Sequence, residues 1–149
     1  MLRSREDRLV DSLARRLRRL VKDEHLDPLR ALAHCQDHAL KTAVAQIERI
    51  THERFTLSIT DVDDAETRQV LEHLRDLYAL TVMERDRGWW LEHGFMTGDT
   101  GKAVQREVNV LCGQLRPAAL GLVASFGIPD ALLRAPIAVA EQRSGAGTD

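Results

Sequence analysis

Apolar residues recur along this chain at intervals of three and four, the signature of helices that bury one face. Leu9, Leu13, Leu17, Leu20 and Val21 share one side of a first helix, predicted from about Ser4 to Lys22. "DEHLDP" interrupts the pattern, and Asp27 followed by Pro28 reads as an N-cap and a first helical residue. The next stripe, Leu29, Leu32, Leu40, Ala43, Val44, Ile47 and Ile50, predicts a long second helix reaching Phe55. After the acidic connection "SITDVDDAE", a third helix is expected from about Asp64 to His93, with Gly94 as its C-cap. Its stripe is Val70, Leu74, Leu77, Tyr78, Thr81, Gly88 and Leu91, and Gly88 there implies close approach by another backbone.

Thr97 or Thr100 caps a fourth helix starting near Lys102. Its stripe, Val104, Val108, Leu111, Leu115, Ala119, Leu122 and Phe126, keeps phase through Pro117. The expectation is therefore one helix kinked at Pro117, where Gly113 yields to the proline ring, and stopped at Gly127. A short closing helix follows Pro129. No alternating strand pattern interrupts this order, so the fold class is all-α: an antiparallel bundle of four main helices plus a short C-terminal one. One bundle over residues 1–140 and a flexible tail over 141–149 complete the expected organisation.

Composition agrees and adds an asymmetry. Among 149 residues, aromatics are only 4% and charged residues reach 30%, which suits helix. From Met1 to Lys22 there are eight Arg or Lys against three Asp or Glu; the remainder holds thirteen against twenty. The arginines at 15, 16, 18 and 19 lack interleaved aromatics, so nucleic acid is not the expected partner. A basic helix side meeting an acidic partner surface is. Cys35 and Cys112 stand apart without metal-site spacing, no apolar leader is visible, and no run is long enough for a bilayer. A cytoplasmic protein without membrane contact is expected.

Candidate chemistry is sparse. His34 and His38 in "HCQDH" are one helical turn apart, but no third ligand accompanies them. With Arg49 and His52 they fall opposite the leucine stripe, on a solvated or second-interface side, and no metal is expected. Glu84 lies inside the apolar stripe of the third helix. It reads as a structural buried acid paired with Arg85, Arg87 or Arg116, rather than a catalytic base. Trp89 and Trp90 point about 100° apart, so one belongs to the core and the other suits an interface, unless a wide core takes both. Val110, Leu120 and Ala124, opposite the stripe of the fourth helix, form a second apolar face and complete the candidate interface.

"DPLRALAHCQDHALKTAVAQIER", "LRDLYALTVMERDRGWWLEHG", "KAVQREVNVLCGQLRP" and "SFGIPDALLRAPI" resemble, in order, the C-terminal helical domain of acyl-CoA oxidases. The resemblance covers about Leu9 to Ala138, with bacterial members of the family most similar. Its most specific pieces run from Asp76 to Leu80, over Arg87-Gly88-Trp89 and Leu91 to Gly94, and from Phe126 to Asp130; Trp90 stands where phenylalanine is expected. The resemblance implies a flavoenzyme built like acyl-CoA dehydrogenases, in which FAD accepts a hydride from an acyl thioester, a glutamate takes the α-proton, and oxygen reoxidises the flavin. This chain matches only the last helical domain, so no catalytic, flavin-binding or metal residue is carried over. The implied function is a non-catalytic helical subunit completing an FAD-dependent oxidase or dehydrogenase. No cofactor is expected on this chain alone; FAD is expected in the assembled enzyme. The implied partner is a longer flavin-binding chain, or a second copy. The alternative is a helical adaptor or homodimeric binding module derived from that domain, without activity.

Overall fold

The computed structural model describes residues 1–129 and Leu132, and among these the chain is helical with no strand. Its helices are α1 (Leu2–Lys22), α2 (Pro28–His34), α3 (Gln36–Ile59), α4 (Ala65–Arg85), α5 (Arg87–Glu92), α6 (Gly98–Leu115) and α7 (Ala119–Ala124). The tail expected at 141–149 and most of the closing helix expected after Pro129 lie outside the described residues. Two units are formed, Met1–Leu115 and the residues from Arg116 onward.

The all-α bundle expected from periodicity is the fold found, and its caps are those the sequence marks. Asp27 accepts from the backbone N–H groups of Leu29 and Arg30, with Pro28 opening α2. Asp64 accepts from the Thr67 N–H at 2.7 Å to start α4. The Thr97 hydroxyl takes the Thr100 N–H at the head of α6. Gly94 follows α5 with φ of +72°, a left-handed conformation that glycine adopts without steric cost.

The segmentation is finer than the stripes indicate. The long second helix is broken at Cys35 into α2 and α3, and the long third helix at Asp86 into α4 and α5. Neither break carries a proline or glycine; Asp86 is held out of helical register while its carboxylate pairs with Arg5 and Arg85. Pro117 does more than kink one helix. It sits in a 3-10 turn, Arg116–Ala118, between the end of α6 and the start of α7. Proline has no N–H to donate, and its ring is incompatible with a regular helical turn before it, so the regular hydrogen-bond ladder ends here.

In the first unit, α1 packs against α2 and α3, α3 against α4, and α4 against α6. One apolar cluster joins Leu20, Ala31 and Cys35, with Leu13, Leu17, Val21 and Leu26 around them. A second joins Trp90, Met96 and Val104, with Leu2, Leu80, Met83, Trp89 and Phe95 around them. Val104, Leu111 and Leu115 of α6 face inward as their spacing requires. Gly88 does not mark a close approach: a Cβ there would meet nothing within 4 Å among the described residues. At Gly101 a Cβ would lie in ordinary contact, 3.4 Å from side-chain atoms of Arg87 and Met96, with no backbone close by.

Candidate interaction surfaces

The orientation of α3 reverses the obvious reading of its sequence. The leucine stripe faces outward: Leu29, Leu32, Leu40, Val44, Ile47 and Ile50 are all exposed. The polar side faces α1. His38 Nε2 lies 2.9 Å from the Ser12 hydroxyl, Arg49 pairs with Glu6, and Arg3 reaches Glu53 at 2.9 Å. The side read as solvated or as a second interface is thus a helix seam, although His34 itself is exposed. Partners on α1 fall in number as those on α3 rise, so the two helices run antiparallel.

At the centre of the seam sits an ion network. Arg5 is 5% exposed and Glu48 is 6% exposed, and they pair at 2.7 Å. Arg5 also holds Asp86 at 2.7 Å, while Arg85 bridges Glu48 and Asp86. Hydrogen bonds to Asp86 and to Glu48 raise the Arg85 pKa above its ordinary value. This arrangement explains how α3 tolerates its polar face inward: each charge removed from water meets an opposite charge. Farther along the seam, hydrogen bonding to Glu6 raises the Arg49 pKa, and a hydrogen bond from Arg3 lowers that of Glu53.

The residues singled out from sequence are therefore distributed only partly as expected. Glu84 is not buried; its side chain is 30% exposed and pairs with Arg87 at 3.4 Å. The buried acid is Glu48, hidden in the sequence because its partner Arg5 lies 43 positions away. A legible trace exists: Arg5-Glu6 and Glu48-Arg49 are adjacent, oppositely charged pairs on the two helices that meet. Trp90 is completely buried and offers no surface, because its ring fills the space between α4 and α6. Trp89 is half-buried, with its faces stacked on His93 at 4.2 Å and Phe95 at 5.7 Å and with Arg5 above its ring. Of the interface candidates, Val110 on α6 is exposed, and so are Leu120 and Ala124 on α7.

Two concavities accompany these surfaces. A groove of about 500 Å³ is lined by Leu29, Leu32, Ala33, Gln36, Leu40 and their neighbours on α2 and α3. A second, of about 440 Å³, is lined by Ser4, Asp7, Arg8, Asp11, Arg15 and Phe95. Neither fits a flavin dinucleotide. The first offers one hydrogen-bonding side chain and no cation for a diphosphate, and the second sets two carboxylates among its two guanidinium groups. Among the described residues no three His, Cys, Asp or Glu side chains cluster as metal ligands, and no helix is long and apolar enough to cross a membrane.

Comparison with known proteins puts these surfaces in context. The acyl-CoA oxidase family model matches residues 1–141. The acyl-coenzyme A oxidase-like protein of Mus musculus is 29% identical over 132 residues, covering 89% of this chain and 21% of that protein. The peroxisomal acyl-coenzyme A oxidase 2 of Arabidopsis thaliana is 31% identical over 137 residues, covering 92% of this chain and 20% of that protein. A putative acyl-coenzyme A oxidase of the same plant is 49% identical over 71 residues, covering 48% of this chain and 37% of its own length. The chain thus spans about a fifth of the length of the two relatives that match most of it. No solved structure matches it. With the family model covering nearly its entire length, the chain belongs to the acyl-CoA oxidase family.

Proposed function

We propose that this chain is a non-catalytic helical part of an FAD-dependent acyl-CoA oxidase-like enzyme, completing a flavin-bearing part that desaturates acyl thioesters. The observation that carries the reading is the apolar run around α7. From Pro117 to Pro129 there is no charged residue, and Leu120, Val123, Phe126 and Ile128 are all exposed, Leu120 at 86%. Apolar surface of this kind is stabilised by burial against a partner. Family membership supports a flavin-bearing part of an acyl-CoA oxidase as that partner, since the relatives that match most of the chain are about five times as long as the matched segment.

The side chains present support a structural role. Glu84 is tied to Arg87, Glu48 to Arg5 and Arg85, and neither concavity pairs a free base with an apolar acyl slot. FAD, when bound by the flavin-bearing part, supplies the hydride acceptor. The two cysteines, both free thiols, suit a reducing, cytoplasmic setting.

The test is reconstitution. The chain is combined with a flavin-bearing acyl-CoA oxidase part, and flavin bleaching by acyl-CoA and peroxide release are followed. Activity is expected only from the combination, with the two parts co-eluting. Bleaching of added FAD by this chain alone, or full activity without it, would overturn the reading.

A further inference from the structure

From Ser12 to Lys22, the second half of α1 carries Arg15, Arg16, Arg18, Arg19 and Lys22 and no aspartate or glutamate. Arg15, Arg18, Arg19 and Lys22 recur at intervals of three and four, so they form one stripe. The stripe lies opposite the apolar side of α1, where Leu9 and Leu20 are buried, and all four of its cations are exposed. Arg16 stands on the flank, where its guanidinium reaches the His34 carbonyl at 3.4 Å. Like charges are thereby set beside each other at Arg15 and Arg18, Arg15 and Arg19, Arg18 and Lys22, and Arg19 and Lys22. Each such pair works against the helix.

The fold does little to offset this repulsion. Among the described residues the stripe makes one ion pair, Arg19 with Glu24 at 3.4 Å, between two exposed side chains. Arg19 and Lys22 lie in the last turn, where the carbonyl end of the helix favours a cation. Arg15 and Arg18 lie too far back for that, and Arg18 folds onto the Ala14 carbonyl at 3.2 Å. The rest of the molecule decides which anion fits. Interfacial binding to lipid needs apolar side chains beside the cations, and those of α1 are turned into the core. A long nucleic acid would also meet the remainder of the chain, which holds thirteen Arg or Lys against twenty Asp or Glu, and no aromatic interleaves the stripe. A short acidic element of protein meets the stripe alone. Three of the four cations are guanidinium groups, whose planar fork matches a carboxylate. Carboxylates along one face of a second helix repeat at the same three- and four-residue spacing. We propose that Arg15, Arg18, Arg19 and Lys22 dock an acidic helix of a partner protein, one with Asp or Glu along one face for about two turns. The stripe shares no residue with the exposed run of α7, so the proposal does not rest on the pairing with a flavin-bearing part.

The experiment uses the whole chain and a fluorescent helical peptide with glutamates along one face at that spacing, followed by anisotropy. Saturable binding that weakens as salt is raised is expected. A scrambled peptide of the same composition should bind at least about tenfold more weakly. Arg15→Gln with Arg18→Gln removes three of the four like-charge pairs, so its thermal midpoint should equal or exceed that of the parent while peptide affinity falls at least about tenfold. A lower midpoint with affinity unchanged would make the stripe a structural feature of α1 and overturn the proposal. Absence of saturable binding overturns it too, as does equal binding of the scrambled peptide, of duplex DNA or of phosphatidylserine vesicles. So does self-association, seen by sedimentation, that the double variant abolishes, since a second copy would then occupy the stripe.

Discussion

At the scale of single residues, the Arg5–Glu48 pair decides the most. Both groups are removed from water, and each is compensated chiefly by the other, with Arg85 and Asp86 closing the network. Removing Arg5 leaves the buried Glu48 with Arg85 as its remaining partner, so Arg5→Met should destabilise the first unit by less than the about 3–5 kcal/mol of a buried pair broken outright. Replacing both, as Arg5→Met with Glu48→Leu, should recover much of that loss, which a double-mutant cycle by chemical denaturation measures. Trp90 gives the opposite kind of prediction. Its ring is completely buried, but its Nε1–H has no hydrogen-bond acceptor among the described residues. Trp90→Phe loses volume and also removes an unsatisfied donor that costs about 1–3 kcal/mol. The two effects nearly cancel, so its melting free energy should stay within about 1 kcal/mol of the parent, whereas Trp90→Ala should lose about 3–5 kcal/mol.

At the scale of elements, α3 shows what periodicity can and cannot settle. Its stripe was legible at every position, and so were the caps at Asp27, Asp64 and Gly94, because caps and stripes are local properties of the chain. Which side of the stripe faced the core was not, since that depends on what α1 presents. α1 offers Arg5, Glu6 and Ser12 beside its leucines, and these select the polar side of α3. The break at Asp86 was hidden for the same reason: its cause is a guanidinium from another helix. The α1–α3 seam and the head of α4 also carry a pH dependence. Hydrogen bonding from Arg3 lowers the Glu53 pKa below its ordinary 4.5, and the Thr67 side-chain and backbone groups lower that of Asp64 below 3.8. A carboxylate with a lowered folded-state pKa contributes stability that is fully present above its ordinary value and lost as pH falls through the lowered one. Acid titration followed by circular dichroism should therefore show loss of stability beginning below about pH 4.5. Glu53→Gln and Asp64→Asn should each flatten that limb while leaving stability at alkaline pH unresponsive to pH. A limb equally steep in both variants would assign the acid response elsewhere.

At the scale of the whole molecule, one chain carries two outward apolar regions with different composition. The α2–α3 face alternates leucine, isoleucine and alanine with Asp37 and Lys41 on its flank, whereas the run through α7 has no charge at all from Pro117 to Pro129. A charged flank specifies register and partner, while an uncharged run gains from burial over its entire surface. Leu120→Glu places a carboxylate where the proposed flavin-bearing part buries apolar surface; an unpaired charge there should weaken assembly by at least about tenfold. Acyl-CoA-dependent flavin bleaching, measured as this variant is titrated onto the flavin-bearing part, should need correspondingly more chain to reach the same rate. The rate at saturation should be unchanged, because α7 carries no ionisable or nucleophilic side chain. A fall in the saturated rate of Leu120→Glu would instead place α7 within the catalytic machinery.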